Sequence, residues 1–269
     1  MGSLFFEPLW IFHRSGIEIK RLPDLRGLRV AVGEEGSGTK ILATKLLDLN
    51  GVSEKNTRLL SIGNQRAADL LLGGEVDVAM FVSTHRSSYV LKLLKSRSVN
   101  LVGLERADAY ALSFHYLYVL TLPEGVLDLK NNIPPHDFVM VAPTTQLVVK
   151  TSMHPALIDL LLQAAEKVHR KGGGFEREGA FPAPKYLDFD LSEDAQRFYQ
   201  HSPSLLQRYL PFWVATFLAR MNIMLVPLVV LLFPLFKIMP VAYRWKMRSK
   251  IYRWYSKLEA VDPKVRKDD

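Results

Sequence analysis

Residues 30–47 read VAVGEEGSGTKILATKLL, and the order of residue types in this stretch sets the class of fold. The apolar run Leu28–Gly33 has the length and composition of a buried strand. Glu34–Gly38 is a glycine-rich turn, and Ser37–Leu49 carries apolar residues at helical spacing, Ile41, Leu42, Leu46 and Leu49. The alternation continues outward. Arg58–Ile62 reads as a strand, a helix follows from Asn64 to Gly73–Gly74, Val76–Val82 is a strand, Ser87–Lys95 a helix and Val99–Leu104 a strand. Strands alternating with helices of this length predict βαβ units and a mainly parallel sheet, an α/β fold. Upstream, Leu4–His13 reads as one strand and Pro23–Gly27 as a turn. Downstream, Tyr116–Leu122 and Phe138–Lys150 read as strands. Thr151–Lys171 reads as a helix with Ser152 near its cap and Pro155 in its first turn, Gly172–Pro184 as a loop, and Ser192–Leu206 as a helix.

The chain has 269 residues, 48% hydrophobic and 23% charged, with no cysteine. The composition is that of a globular protein, and the missing cysteines exclude a disulfide scaffold, a Cys-ligated metal site and a Cys nucleophile. The net charge of +8 is unevenly placed: residues 1–210 hold 24 basic and 23 acidic side chains, whereas residues 241–269 hold 9 and 4. A nearly neutral body with a basic tail speaks against nucleic acid and for a membrane surface.

Residues 209–240, YLPFWVATFLARMNIMLVPLVVLLFPLFKIMP, contain an uncharged run of 16 residues, Met221–Phe236. Extended to Pro240 it is long enough for a hydrocarbon core of ~30 Å, with Arg220 and Lys237 reaching the two faces and Trp213 at an interface. Beyond it, Met247, Ile251, Trp254, Tyr255 and Leu258 fall on one helical face and Arg244, Lys246, Arg248, Lys250, Arg253 and Lys257 on the other. The excess of positive charge places residues 241–269 in the cytoplasm as a basic amphipathic tail, and the body outside the cytoplasmic membrane, in the periplasm of a Gram-negative cell. An exported body needs a signal, and MGSLFFEPLWIFHRSG has neither a basic start nor an uninterrupted apolar core.

The chemistry centres on the turn already quoted. Gly36, Ser37, Gly38 and Thr39 stand where a helix begins, with unpaired N–H groups and a partial positive charge. Glycines allow close approach and the hydroxyls add donors, so a small anion fits. The spacing is neither a Walker A loop nor G-x-G-x-x-G. An ordinary capped helix is the competing reading. Ser83, Thr84 and Arg86 follow the strand VDVAMFV at the corresponding edge, where open α/β sheets bind ligands. Arg86 can pair with a carboxylate, or be a solvated loop charge. Glu7 and Trp10 can line a cleft, or be a surface acid and a core indole. Seven histidines are scattered, no catalytic motif appears, and no carboxylate spacing suits a metal. An enzyme is not expected, and neither is a cofactor.

The ordered segments FFEPLWIFHR, LRGLRVAVGEEGSGTK, AADLLLGGEVDVAMF, VMVAPTTQLVVK, MHPALIDLLLQAAEKVH and LQRYLPFWVA resemble the solute-binding proteins of TRAP transporters, TAXI subfamily, in the form that carries a C-terminal membrane helix. The resemblance implies a type 2 periplasmic-binding-protein fold, in which two lobes joined by hinge strands close on an organic acid. It maps residues 1–22 to a hinge strand region with Glu7 and Trp10 at the cleft. Residues 23–115 become the second lobe, with Ser37, Gly38 and Thr39 facing ligand, and residues 116–208 the remainder of the first lobe. Residues 209–240 and 241–269 are the membrane segment and tail. Such proteins begin with an export signal and the opening part of the first lobe, so the sequence reads as N-terminally truncated, with one complete lobe and part of another. The function implied is a membrane-anchored, extracytoplasmic binding subunit that delivers a carboxylate or amino acid to TRAP membrane subunits. A membrane-tethered sensor or scaffold that binds a protein partner is the alternative, and a cytosolic enzyme on a similar fold is a third.

Overall fold

The N-terminal apolar stretch, expected as one strand, is two: β1 (Gly2–Phe6) and β2 (Leu9–Arg14), separated at Glu7 and Pro8. Proline has no N–H to give to a ladder, and the break falls where it stands. The structure, a computed structural model, describes residues 1–200 together with Val230, Lys246 and Met247. After β2 come a 3-10 turn at Leu22–Leu25, β3 (Arg29–Ala31), α1 (Gly38–Leu49), β4 (Arg58–Leu60) and α2 (Asn64–Leu72). The chain continues through β5 (Val78–Val82), α3 (Ser88–Leu94), β6 (Val99–Leu101), α4 (Ala107–Ser113) and β7 (Tyr118–Leu122). Within residues 1–200 the last elements are β8 (Phe138–Ala142), β9 (Thr144–Leu147), α5 (Pro155–His169) and α6 (Glu193–Gln200). The helix α4 was not expected from sequence, and the expected strand Phe138–Lys150 is divided at Pro143.

The main sheet has five strands in the order β4-β3-β5-β2-β6. The strands β3, β4 and β5 are parallel, as the βαβ alternation predicts, but β2 runs antiparallel to both β5 and β6. The sheet is mixed, which corrects the mainly parallel expectation. The reason is that β2 enters the sheet directly from β1 and not through a helical crossover, so the handedness of βα units does not set its direction.

Both faces of this sheet are covered, and its side chains alternate between two cores with period 2. Leu9 and Ile11 of β2, Val30 of β3, and Val78 and Met80 of β5 pack under Leu42, Ala43 and Leu46 of α1. Trp10 and Phe12, Ala31, and Ala79 and Phe81 turn the other way, against Ala67, Ala68 and Leu71 of α2 and Val90 and Leu93 of α3. Full burial of each large side chain is worth about 1.5–3 kcal/mol.

The β7–β8 hairpin lies on these cores, giving Val141 to the first and Leu122, Phe138 and Met140 to the second, while Leu104 N–H donates to Val139 O at 2.8 Å. Elsewhere β1 and β9 form a separate antiparallel pair, and with α5 and α6 they enclose a small third core of Met1, Ile158, Leu162 and Ala195. The chain therefore passes between the two regions twice, at Glu7–Pro8 and at Pro143. The two passages lie side by side, with Glu7 N–H donating to Pro143 O at 3.0 Å.

The cap of α5 is His154, whose Nδ1 accepts from Ala156 N–H at 3.2 Å, two residues past Ser152. The expected membrane segment 209–240 and tail 241–269 lie, but for Val230, Lys246 and Met247, outside the described residues. Among the described residues no helix is long and apolar enough to cross a membrane.

One ionic cluster ties the amino-terminal end of β5 to its neighbours. The Asp77 carboxylate accepts from Arg29 backbone N–H at 3.0 Å, from Arg29 Nε at 2.9 Å and from Arg29 Nη2 at 2.8 Å, and Arg14 Nη2 lies 3.2 Å away. Held foremost by Arg29, and with its side chain only 10% exposed, the carboxyl is lowered from 3.8 to about 2. Its folded pKa is depressed, so the charge stabilises the fold above the unfolded value of 3.8 and that contribution disappears as pH falls through about 2. Asp77→Asn is expected to lose about 2 kcal/mol at neutral pH. Urea unfolding of the two proteins should show this gap narrowing to near zero at pH about 2.

Candidate functional site

The three parallel strands end at one edge of the sheet, and α1, α2 and α3 begin there. The turn from β3 into α1 is built tightly. Gly33 has φ 90°, and a Cβ there would come within 2.8 Å of Ser37 Oγ and Thr39 Cβ, so only glycine fits. Ser37 caps α1: its Oγ accepts from Lys40 N–H at 3.1 Å and donates to Glu34 O at 2.7 Å. Gly36 and Gly38 are exposed, and the first helical N–H groups, those of Gly38 and Thr39, have no partner within the helix. Two carboxylates flank this turn. Glu35 pairs with Lys40 Nζ, which also donates to Ser61 Oγ at 2.8 Å, and this contact lowers the Glu35 carboxyl. Glu34 Oε2 lies where it would crowd any Cβ at Gly63, the cap of α2.

Three of the residues singled out from sequence are internal. Trp10 is fully buried, and its Nε1–H donates to Ser83 O at 2.9 Å. Thr39 is 4% exposed, and its Oγ1 accepts from Val82 N–H at 3.0 Å, which fastens α1 to the end of β5. Ser83 is also buried. Its Oγ accepts from the Tyr89 hydroxyl at 2.7 Å and is hydrogen-bonded to Ser87 Oγ at 2.6 Å, while the Tyr89 hydroxyl oxygen accepts from Asn64 Nδ2 at 3.1 Å. Trp10, Thr39 and Ser83 hold the edge together from buried positions. Glu7 is half-buried at the chain crossing.

Thr84 and Arg86 have a different setting. They line a cavity of about 210 Å³ whose opposite wall comes from β1 and the end of α5, with Phe5, His169 and Glu176. Arg86 Nη2 donates to Gly172 O at 3.1 Å. Burial raises the Glu176 carboxyl, against the opposing pull of the Arg86 charge. Burial lowers His85, with Arg86 adding to the effect, and lowers His169, which stacks on Phe5 at 5.2 Å. The cavity thus presents a guanidinium and a half-buried carboxyl that no ion pair joins directly, between aromatic walls. Among the described residues no group of three His, Asp or Glu side chains is gathered to hold a metal ion.

Residues 172–188, of which Gly172–Pro184 is expected as a loop, form a strap between the two regions. Phe175 sits with its ring centroid 5.9 Å from Trp10 and 6.1 Å from His85. Further along, Ser3 and Ala183 exchange two backbone hydrogen bonds of 3.0 Å, Thr144 Oγ1 donates to Tyr186 O at 2.8 Å, and Gln146 Nε2 donates to Asp188 Oδ2 at 2.7 Å. A second, open cavity of about 760 Å³ lies along it, beside Phe6, Tyr118, Phe181 and Tyr186. Phe175, Glu176 and His169 escaped the sequence analysis. The one local signal was a bulky Phe placed directly after Gly172, Gly173 and Gly174.

Thr39→Val is expected to leave the Val82 N–H without its acceptor, at a cost of about 1–3 kcal/mol. Amide exchange at Val82 should accelerate in this variant, and Thr39→Ser should restore most of the protection.

A model of the NMT1-like family matches residues 2–165, more than half of the chain. Solved structures with some likeness include the periplasmic aliphatic sulphonate binding protein SsuA from Escherichia coli, at 18% identity and a TM-score of 0.31, covering 52% of this chain and 40% of that one. The alkanesulfonate-binding protein SsuA from Xanthomonas axonopodis pv. citri, bound to MOPS, has 18% identity and a TM-score of 0.30, covering 42% and 43%. An ancestral arginine-binding protein bound to arginine has 17% identity and a TM-score of 0.36, covering 64% and 59%. The chain spans 40% to 59% of the length of these proteins.

Proposed function

We propose that this chain, which belongs to the NMT1-like family, is an extracytoplasmic solute-binding subunit of a transporter and holds a small organic anion. The observation that carries this reading is the 210 Å³ cavity walled by Thr84 and Arg86 from the main sheet's edge and by Phe5, His169 and Glu176 from the other region. Such a cavity lies beside the two chain passages at Pro8 and Pro143, where proline interrupts both ladders. Those passages are the natural hinge, since few backbone hydrogen bonds must change there. A ligand that touches both walls favours the closed arrangement by its differential affinity.

The strand order, with antiparallel β2 between β5 and β6, supports a type 2 periplasmic-binding-protein lobe. In this reading the lobe that begins at residue 23 continues through the β7–β8 hairpin to Ala142, and the remainder of the first lobe starts at Pro143. Arg86 supplies the charge for the anion, whereas Gly36, Ser37 and Gly38 do not line this cavity and their turn is flanked by Glu34 and Glu35. Trp10, Thr39 and Ser83 position these groups from within. The finer assignments, a TRAP transporter of the TAXI type and a single membrane pass at 209–240 with a cytoplasmic tail, rest on the order of the sequence segments and the apolar run.

Thermal melting against a panel of carboxylates, sulfonates and neutral solutes tests the reading. An organic anion should raise the melting temperature, and Arg86→Met should weaken its binding by roughly 10–100-fold, the range for a charge-assisted hydrogen bond. Stabilisation by neutral solutes alone, or an Arg86→Met variant that binds as well as the parent, would overturn it.

A further inference from the structure

The cavity at Arg86 holds about 210 Å³, below the roughly 300–1,000 Å³ of sites that enclose a whole small ligand. It has a neighbour. The open cavity of about 760 Å³ along the strap shares Phe6 and Glu176 with it, so the two spaces adjoin at these side chains. Their chemistry differs. The first holds the Arg86 guanidinium, whereas the second is walled by a cluster of rings. Phe6 packs edge-on to Phe181, with ring centroids 5.2 Å apart and an angle of 84°, and Tyr118 packs edge-on to Tyr186 at 4.6 Å and 73°. Phe6 also lies 5.2 Å from Tyr186 and 5.9 Å from Tyr118. Phe181 is buried and Tyr186 is 39% exposed, so the cluster is closed at one end and open at the other. Tilted rings of this kind present faces and edges that suit a further aromatic ring.

We propose that the two cavities form one site for a monoanion with an aryl tail: the anionic head pairs with Arg86, and the ring lies among Phe6, Tyr118, Phe181 and Tyr186. This deepens the anion-binding reading and rests on it. Continuity with the Arg86 cavity is what identifies the occupant, since the ring space adjoins a guanidinium that a purely apolar occupant would leave unused. Glu176 stands at the junction and adds a restriction. A ligand that spans both cavities brings its middle against this carboxyl, where a second anionic group is opposed by like charge. The site therefore selects against dicarboxylates through a repulsive contact. The other charged side chains beside the ring cluster, Arg177 and Lys185, are exposed, where water and salt screen them.

Calorimetric titration of the full-length protein with propionate, 3-phenylpropionate, 3-phenylpropanol and succinate tests this. The phenyl acid is expected to bind roughly 10–100-fold more tightly than propionate, from burial of its ring, and more tightly than the alcohol. Succinate should bind no better than propionate. Arg86→Met should weaken both monoacids by a similar factor. Tyr186→Asn removes one ring at a position whose φ of 59° asparagine accepts, and Tyr118→Ser removes another. Each should cut the preference for the phenyl acid over propionate several-fold. Equal affinity for the two monoacids, both weakened in Arg86→Met, overturns the aryl tail and leaves the anion site standing. A preference for the phenyl acid that survives both tyrosine variants overturns it as well, because the ring then binds elsewhere. So does succinate that binds more tightly than the phenyl acid. An alcohol that binds as tightly as the phenyl acid, with no loss in Arg86→Met, overturns both readings, and so does binding of neither acid.

Discussion

The strand β2 is hydrogen-bonded along both edges and covered on both faces. Leu9, Trp10, Ile11 and Phe12 are each 1% exposed or less. A strand in this position has no side open to water, so its two faces must be apolar and its ladder must be complete. It is also the strand through which the chain enters the main sheet from β1. Its last residue is held at the far end: Arg14 N–H donates to Asp77 O at 3.0 Å, and the Arg14 guanidinium meets the Asp77 carboxylate. The five-stranded sheet is therefore anchored through β2 at one end and free to change direction at Pro8 at the other.

That constraint explains the division of labour around the site. Trp10 belongs to the fully enclosed strand, so its indole N–H must find a partner inside, and it finds the carbonyl of Ser83. Ser83 and Thr39 lie where β5 gives way to α3 and where α1 begins, and their hydroxyls satisfy groups that the end of a strand leaves over. The residues free to meet a ligand are one step further out, on Thr84 and Arg86 and across the cavity on Phe5, His169 and Glu176. The strap adds a tie between the two regions. Phe175 packs toward Trp10 and His85, while Ala183, Tyr186 and Asp188 bond to β1 and β9. A movement at Pro8 and Pro143 thus has to be accommodated by this loop as well.

Local chemistry made part of this legible. The turn Gly33–Thr39 announces itself, since a strand, a positive-φ glycine, a serine cap and an amphipathic helix follow each other within a few residues. The elements β3, α1, β5 and α3 fall close to where their periodicity places them. Pro8 and Pro143 are visible too, and a stricter reading of proline inside an apolar run would have divided both strands. The roles of Trp10 and Thr39 were not legible, because an indole or a hydroxyl at the right spacing is equally suited to lining a cleft and to bonding a neighbour's backbone. The side of the cavity formed by Phe5, His169 and Glu176 was invisible for another reason: Phe5 lies more than 160 positions from the other two in the chain, and the three belong to no shared motif.

The sequence by itself determined the α/β alternation, the placement of a glycine-rich turn at a helix start, the neutral body and the basic, apolar C-terminal region. These follow from side-chain periodicity, capping and charge, which act over a few residues. Only the tertiary structure decided that β2 runs against its neighbours, that Trp10, Thr39 and Ser83 face inward, and that Arg86 and Glu176 share one cavity. Each of those depends on which distant segments supply the missing hydrogen bonds and apolar partners, and burial can choose among such pairings only when the whole chain packs at once.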